Sequence, residues 1–213
     1  MKIEIWSDVQ CPFCYIGKRH LESALSQVNP IESIEIEWKS FQLDPTIPAD
    51  LATQNSYTYL AAKKGMSIEQ SISMHENVAQ MAAKAGLNYH LEKTIISNSY
   101  NAHQLIQLAK TIKKGDEMEE ILFDAYFCKG KNIAHLPTLV ELGQQIGLTE
   151  PEIVTAITTN QFADKINRDI NESQQIGVKG VPFFVFDRKY ALSGAQPVEQ
   201  FVSCIQKVIS EKI

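Results

Sequence analysis

The sequence lacks two features that would each have indicated a class of function. Acidic and basic residues are mixed along the chain at a net charge of -5, with no basic stripe, which argues against nucleic acid as a partner. No apolar run approaches the ~20 residues that a membrane-spanning helix needs, so we expect no membrane partner. The 44% of apolar residues is nevertheless enough for a sizeable globular core.

The N-terminus also lacks the pattern of a secretory signal. Its first residues, Met-Lys-Ile-Glu-Ile-Trp-Ser-Asp, carry an acid at position 4 and no apolar stretch that ends in small residues. We therefore expect a cytoplasmic location. In that compartment structural disulfides are rare, and transient catalytic disulfides are the usual exception.

Cysteine is scarce, and only one pair is close in sequence. The four cysteines are Cys11, Cys14, Cys128 and Cys204, a spacing that argues against a framework of several disulfides. A zinc site would need two more ligands at comparable spacing, and the sequence has no second Cys-x-x-Cys and no histidine pair. We expect no metal and no cofactor beyond a redox-active disulfide, although an inert cysteine pair stays an alternative.

The segment Cys11-Pro12-Phe13-Cys14 is the strongest candidate for chemistry. It follows a predicted strand over 2–9 and begins a predicted helix, whose first position suits proline because no N–H is needed there. A helix N-terminus carries about half a positive charge, which suits a thiolate. We predict Cys11 as the nucleophile and Cys14 as the resolving thiol, with Pro12 and Phe13 between them as substrate-binding residues.

The remaining sequence predicts an α/β protein interrupted by helices. A first helix should end at Asn29-Pro30, and a second strand should span 33–43. The next residues, to about 176, have helical periodicity over the segments 51–64, 68–85, 98–113, 117–128, 136–146, 150–158 and 160–175. Strands at Phe183–Phe186 and Tyr190–Ser193 and a helix after Pro197 follow.

Without the helical block, the elements that remain form a thioredoxin-like fold. We predict a discontinuous thioredoxin-like domain over 1–43 and 177–213, with a large all-helical insertion over 44–176 between the second and third strands. Glycines should end several of the inserted helices as C-terminal caps: Gly65, Gly86, Gly115, Gly130 and Gly147. Ser67 with Gln70 predicts a capping box.

The second candidate site is Val181-Pro182, just before the third strand. Proline is tolerated at the start of a strand, so a trans proline would explain Pro182 taken alone. In a thioredoxin-like fold, however, this loop faces the cysteine pair with a cis peptide bond, which costs only about 0.5–1 kcal/mol before proline. The cis-proline would leave the backbone of Val181 free to pair with a bound peptide.

Several motifs together resemble the DsbA family of oxidoreductases, particularly its FrnE-like branch. The resemblance is carried by Trp6-Ser7-Asp8, Cys11-Pro12-Phe13-Cys14-Tyr15-Ile16-Gly17, Phe41-Gln42-Leu43-Asp44-Pro45, Asn98-Ser99-Tyr100-Asn101-Ala102-His103, Ala125-Tyr126-Phe127 and Gly177-Val178-Lys179-Gly180-Val181-Pro182. It implies an inserted helical domain, a nucleophilic Cys11, a resolving Cys14 and a cis Pro182. His103 is a candidate substrate contact because its segment is similar to a motif of the branch.

The resemblance implies a thiol-disulfide oxidoreductase that exchanges disulfides with protein substrates. Related 2-hydroxychromene-2-carboxylate isomerases and kappa-class glutathione transferases leave a glutathione-dependent isomerase or transferase as the alternative. Those relatives typically carry serine at the position of Cys11, so the intact pair favours redox chemistry here. Glutathione stays a candidate co-substrate and partner, and a chaperone that holds unfolded chains is a third, non-catalytic hypothesis.

Overall fold

The computed structural model describes residues 1–28, 34–48 and 54–211. The chain divides into two compact units, which we call the sheet unit (Met1–Leu43 and Lys165–Ile213) and the helical unit (Asp44–Asp164). The predicted α/β class, with helices inserted between the second and third strands, is confirmed. The predicted helix end at Asn29-Pro30, the start of the strand over 33–43 and the start of the helix over 51–64 lie outside the described residues.

The sheet unit is built on four strands: β1 (Lys2–Ser7), β2 (Glu35–Ser40), β3 (Phe183–Phe186) and β4 (Tyr190–Ser193). Their order is β2-β1-β3-β4. β1 is parallel to β2 and antiparallel to β3, and β3 is antiparallel to β4. The first strand of the βαβ unit, β1, is therefore paired with a hairpin formed by residues that come after the whole helical unit.

One face of the sheet is covered by α1 (Pro12–Gln27) and α9 (Val198–Ser210), which also contact each other. Side chains alternate between the two faces of a strand, so Ile3 and Ile5 share this face and both are fully buried. Phe184 packs edge-on against Phe201 of α9, with 4.8 Å between ring centroids. This apolar layer packs α9 against the sheet.

The opposite face carries charge and is covered by α8 (Ala163–Gln175). The Trp6 indole N–H donates to the Asp169 carbonyl at 2.8 Å. Lys39 Nζ lies 3.5 Å from a Glu4 oxygen, 3.5 Å from an Asp169 oxygen and 3.1 Å from Glu172. The charged side chains of β2 therefore do not all face solvent, because Asp169 and Glu172 of α8 neutralise the charge of Lys39.

The helical unit contains α2 (Ser56–Lys64), α3 (Ile68–Lys84), a 3-10 turn (Leu91–Lys93), α4 (Tyr100–Thr111), α5 (Gly115–Phe123), a π-helical turn (Asp124–Cys128), α6 (Leu136–Gln144) and α7 (Glu150–Thr158). The predicted capping box of α3 is confirmed, since Ser67 and Gln70 each bond the other's backbone N–H. Gly65 also adopts the predicted left-handed C-cap.

Gly115 was expected to end a helix, and that prediction is wrong. It is the first residue of α5, and the left-handed backbone position between α4 and α5 belongs to Lys113, with φ of 61°. A Cβ at Gly115 would lie 2.7 Å from Lys110 Cγ. Gly115 therefore begins a helix close to the Lys110 side chain and has no positive φ.

The predicted ends of the inserted helical domain, between residues 43 and 44 and between residues 176 and 177, stay a prediction. The two compact units divide the chain at the first of these points, but their second division falls between Asp164 and Lys165. Most of α8 therefore lies in the sheet unit, through contacts such as that between Asp169 and Trp6.

Candidate active site

The candidate site begins at the turn between β1 and α1. The Cys11 N–H donates to the Asp8 carbonyl at 2.9 Å, and the Cys14 N–H donates to the Cys11 carbonyl at 3.0 Å. Cys11 is the N-cap residue of α1, with φ -87° and ψ 110°, and its side chain forms no capping bond. Pro12 takes the first helical position as predicted. The Cys11 thiol therefore lies at the positive end of the helix dipole.

Cys14 is one helical turn further and has no exposed surface. Burial, followed by a hydrogen bond with Cys11, raises the pKa of the Cys14 thiol well above its usual value of 9.0. The two sulfur atoms are therefore close, and the inner one is held as a neutral thiol. This asymmetry suits a pair in which the outer sulfur reacts first.

The loop before β3 supplies the third part of the site. The Val181–Pro182 peptide bond is cis, and the Cys11 thiol donates to the Val181 carbonyl over an Sγ–O distance of 3.2 Å. Both loop residues are buried. Cys11 itself is only 4% exposed.

Helix α1 approaches the same loop through Gly17. A Cβ at this position would lie 3.0 Å from Pro182 Cγ and 3.0 Å from Phe184 Cζ. Distances this short are tighter than ordinary van der Waals contact, so a methyl group would fit only if its neighbours moved by a few tenths of an ångström. The helix that carries Cys11 and Cys14 therefore rests directly on the proline ring, which places the loop against the cysteine pair.

Comparison with known proteins agrees with this geometry. The model of the DSBA-like thioredoxin domain family matches residues 2–206. The chain belongs to this family. It is 35% identical to a probable DsbA oxidoreductase from Streptomyces coelicolor, with a TM-score of 0.94, over 99% of this chain and 91% of that one.

More distant relatives share the fold. The uncharacterized protein YwbO of Bacillus subtilis (strain 168) is 25% identical over 186 residues, which are 86% of this chain and 85% of that protein. The cytosolic disulfide reductase DsbM of Pseudomonas aeruginosa matches with a TM-score of 0.68 and 16% identity, over 99% of both chains. A 2-hydroxychromene-2-carboxylate isomerase matches with a TM-score of 0.75 and 10% identity, over 100% and 98%.

Within this DsbA-like domain, the remaining predicted site residues lie in different places. Pro12 and Phe13 are partly exposed at the start of α1, beside the cysteines. His103 lies on α4 in the helical unit and has no exposed surface. Its predicted contact with substrate stays a prediction.

The two other cysteines are half-buried free thiols outside this site. Burial and then the charge of Asp124 raise the pKa of Cys128 to about 11. Burial also raises the pKa of Cys204. Neither is suited to form a thiolate at neutral pH.

Two negative findings concern only the residues that the structure describes. No group of three or more His, Cys, Asp and Glu side chains in those ranges is arranged to hold a metal ion. None of the helices found there is long and apolar enough to cross a membrane.

Sequence reasoning did not identify two residues that shape the site. Asp8 is a fully buried acid directly after β1, and Gly17 is the close-contact point described above. Both belong to segments that carry the family resemblance, but their physical roles depend on partners far away in sequence. One sequence feature could have pointed to Asp8: an acidic residue at the end of a strand that is rich in apolar residues.

Proposed function

We propose that this protein is a thiol-disulfide oxidoreductase that exchanges disulfides with protein substrates through Cys11 and Cys14. The observation that supports it most is the placement of Cys11. Its thiol lies at the N-terminus of α1, beside the buried Cys14, and donates to the Val181 carbonyl at 3.2 Å. The Cys11 residue is 4% exposed and Cys14 is fully buried, an asymmetry that suits a pair in which the outer sulfur reacts first.

In the oxidising direction, a substrate thiolate attacks the sulfur of Cys11 in the Cys11–Cys14 disulfide. That attack forms a mixed disulfide and releases Cys14 as a thiolate. A second substrate thiolate then attacks the substrate sulfur, so that the substrate gains a disulfide and the enzyme pair is reduced. In the reducing direction the same steps run backwards, and Cys14 resolves the mixed disulfide.

The backbone of Val181 is the proposed docking point for the substrate chain. A bound peptide would replace the Cys11 thiol as the donor to the Val181 carbonyl. Its backbone N–H would form this hydrogen bond, as in the addition of a strand to a sheet. Pro12 and Phe13, which are partly exposed beside the cysteines, would contact the same peptide. We retain His103 as a further candidate contact.

We also propose that the protein belongs to the FrnE-like branch and acts in the cytoplasm, using no cofactor other than its own disulfide. The branch motifs in the sequence support the first point. The likeness to a reductase described as cytosolic, for which a glutathione-bound structure exists, makes glutathione a reasonable recycling partner to test. Cell fractionation with an antibody against the native protein tests the location.

The first experiment is a redox titration of the protein in glutathione buffers, followed by alkylation and mass measurement. A reversible transition in which two alkylation sites are lost together supports an active dithiol. Its midpoint gives the direction of electron flow, since about 30 mV corresponds to a tenfold change in equilibrium for a two-electron couple. Cys128 and Cys204 are the internal control, because both should stay alkylated throughout.

Trapping assigns the roles within the pair. Cys14→Ser should accumulate mixed disulfides with client proteins, whereas Cys11→Ser should trap none. Equal trapping by both variants would contradict Cys11 as the nucleophile. If the parent protein forms only a stable glutathione adduct and shows no two-site transition, the glutathione-dependent isomerase or transferase replaces this proposal.

A further inference from the structure

The Cys11 thiol is hydrogen-bonded to the backbone of the loop before β3. It donates to the Val181 carbonyl over an Sγ–O distance of 3.2 Å, and Cys11 and Cys14 are both free thiols, so this is a contact of the reduced protein. Among the residues that the structure describes, no second donor to this carbonyl is found. Cys11 and Val181 are only 4% and 9% exposed, so bulk water does not readily replace a lost donor.

This hydrogen bond exists only while the Cys11 sulfur carries a proton. A thiol is a weak S–H donor, whereas a disulfide sulfur has no hydrogen to donate. When Cys11 and Cys14 form a disulfide, the Val181 carbonyl therefore loses the donor that it has in the reduced protein. A mixed disulfide between Cys11 and a substrate leaves the same acceptor open.

A substrate chain brings a donor to the same place. Any chain whose cysteine reaches the Cys11 sulfur comes close to a carbonyl that lies 3.2 Å from that sulfur. A backbone N–H is a stronger donor to a carbonyl than an S–H, and pairing through the backbone does not depend on one particular side-chain sequence. The Cys11 thiol and the substrate backbone therefore compete for one acceptor.

We propose that the Val181 carbonyl is a redox-gated subsite for the substrate backbone, open in the disulfide form of the enzyme and closed by the Cys11 thiol in the reduced form. The inference rests on the proposed function. In the oxidising direction, two substrate thiols lose two electrons and two protons, and the Cys11–Cys14 disulfide takes them up to become two thiols. The proton that arrives on Cys11 restores its bond to Val181 and displaces the oxidised product.

The gate gives the two enzyme forms different affinities for the same chain. We expect the disulfide form to bind an extended peptide about two- to fivefold more tightly than the reduced form, the lower half of the range for one neutral hydrogen bond because S–H is a weak donor. A peptide without cysteine shows the difference with no covalent chemistry. The probe is a capped peptide of alternating threonine and valine, which favour strands, with a lysine at each end for solubility.

The Val181 carbonyl can be observed by itself in an NMR spectrum. Val181–Pro182 is the only Val-Pro pair in the sequence. Protein labelled with carbonyl-¹³C valine and ¹⁵N proline therefore shows one carbon resonance that is coupled to a proline nitrogen. Hydrogen bonding deshields a carbonyl carbon, so this resonance should move upfield on oxidation and return downfield when the oxidised protein is saturated with the peptide. The same titration gives the dissociation constant.

Cys11→Ala and Cys14→Ala form the matched pair, and both are kept reduced. Each variant lacks one thiol and neither can form the disulfide, but only the Cys11 thiol donates to the Val181 carbonyl. Cys11→Ala should bind the peptide about as tightly as the oxidised parent, with its Val181 resonance upfield. Cys14→Ala should bind the peptide as weakly as the reduced parent.

The protonation state of Cys11 is controlled in the same experiment. A thiolate has no proton to donate, so affinities are compared at a pH at which ultraviolet absorbance shows Cys11 as a thiol. A parent protein whose Cys11 stays ionised at every pH at which it is folded would overturn the proposal, because the reduced form would then lack the donor.

The other outcomes also decide the question. Equal affinity of the oxidised and reduced parent, equal affinity of Cys11→Ala and Cys14→Ala, or no binding of the peptide to any form would overturn the gate. A parent protein that forms no Cys11–Cys14 disulfide contradicts the proposed function instead, and the variant pair, which needs no disulfide, still tests the gate. If Cys14→Ala does not fold, the two forms of the parent decide alone.

Discussion

Replacing Gly17 with alanine tests whether α1 really rests on the loop of Pro182. The added methyl group would lie 3.0 Å from Pro182 Cγ and 3.0 Å from Phe184 Cζ. Neither neighbour can move away easily. Phe184 has no exposed surface and packs edge-on against Phe201 at 4.8 Å, and Pro182 is a buried ring next to Val181.

The expected stability change is the sum of two opposing effects. Overpacking a well-filled core costs about 1–3 kcal/mol. Alanine is the better helix former, which returns about 1 kcal/mol inside α1. Subtracting the gain from the cost, we expect Gly17→Ala to reduce the free energy of unfolding by about 0–2 kcal/mol.

Urea unfolding measures this change, and Gly180→Ala is the control. A Cβ at Gly180 would meet no atom within 4 Å, and its φ is not among the positive values of the chain. The control should therefore gain about 0.4–1 kcal/mol, because alanine restricts the unfolded chain. The reasoning is refuted if Gly17→Ala is as stable as Gly180→Ala or more so.

Three further predictions concern charge, protonation and capping. Lys39→Met should lower the free energy of unfolding by about 3 kcal/mol, since it removes the cation that lies 3.5 Å from the buried Asp169, whereas Glu4 keeps its ion pair with Arg188; an unchanged urea midpoint would count against the network. Because the folded pKa of Cys14 is raised above 9.0, the unfolded state loses the thiol proton first. Stability from this residue is therefore present below about pH 9 and is lost as the pH rises further, so the parent should lose more stability than Cys14→Ala between neutral and alkaline pH; parallel losses in urea titrations would contradict the assignment. Ser67→Ala should cost about 1 kcal/mol through loss of the α3 cap, visible as a lower urea midpoint, and no change would mean that the cap is dispensable.

Part of the site could be predicted because it depends on neighbours in sequence. A strand that runs into a cysteine, a proline at the first helical position and a second cysteine one turn later define a helix start whatever surrounds it. The same is true of the Ser67–Gln70 cap and of the left-handed Gly65, where the backbone of a few residues decides. Gly115 shows the limit of such reasoning, because it begins α5 and the left-handed position between α4 and α5 belongs to Lys113.

The sequence by itself determined the order of the elements, the thiol pair at the start of α1 and the interruption by helices, since hydrophobic period and capping act over short distances. Only the tertiary structure decided which residues from distant parts of the chain contact the cysteine pair and the turn before it. The Val181 carbonyl that accepts from Cys11 is 170 residues away in the chain, and Leu43, which holds the Asp8 carboxylate, is 35 residues away. These contacts depend on how the strands pair and on how closely α1 approaches the sheet at Gly17. Neither can be read from a local sequence pattern.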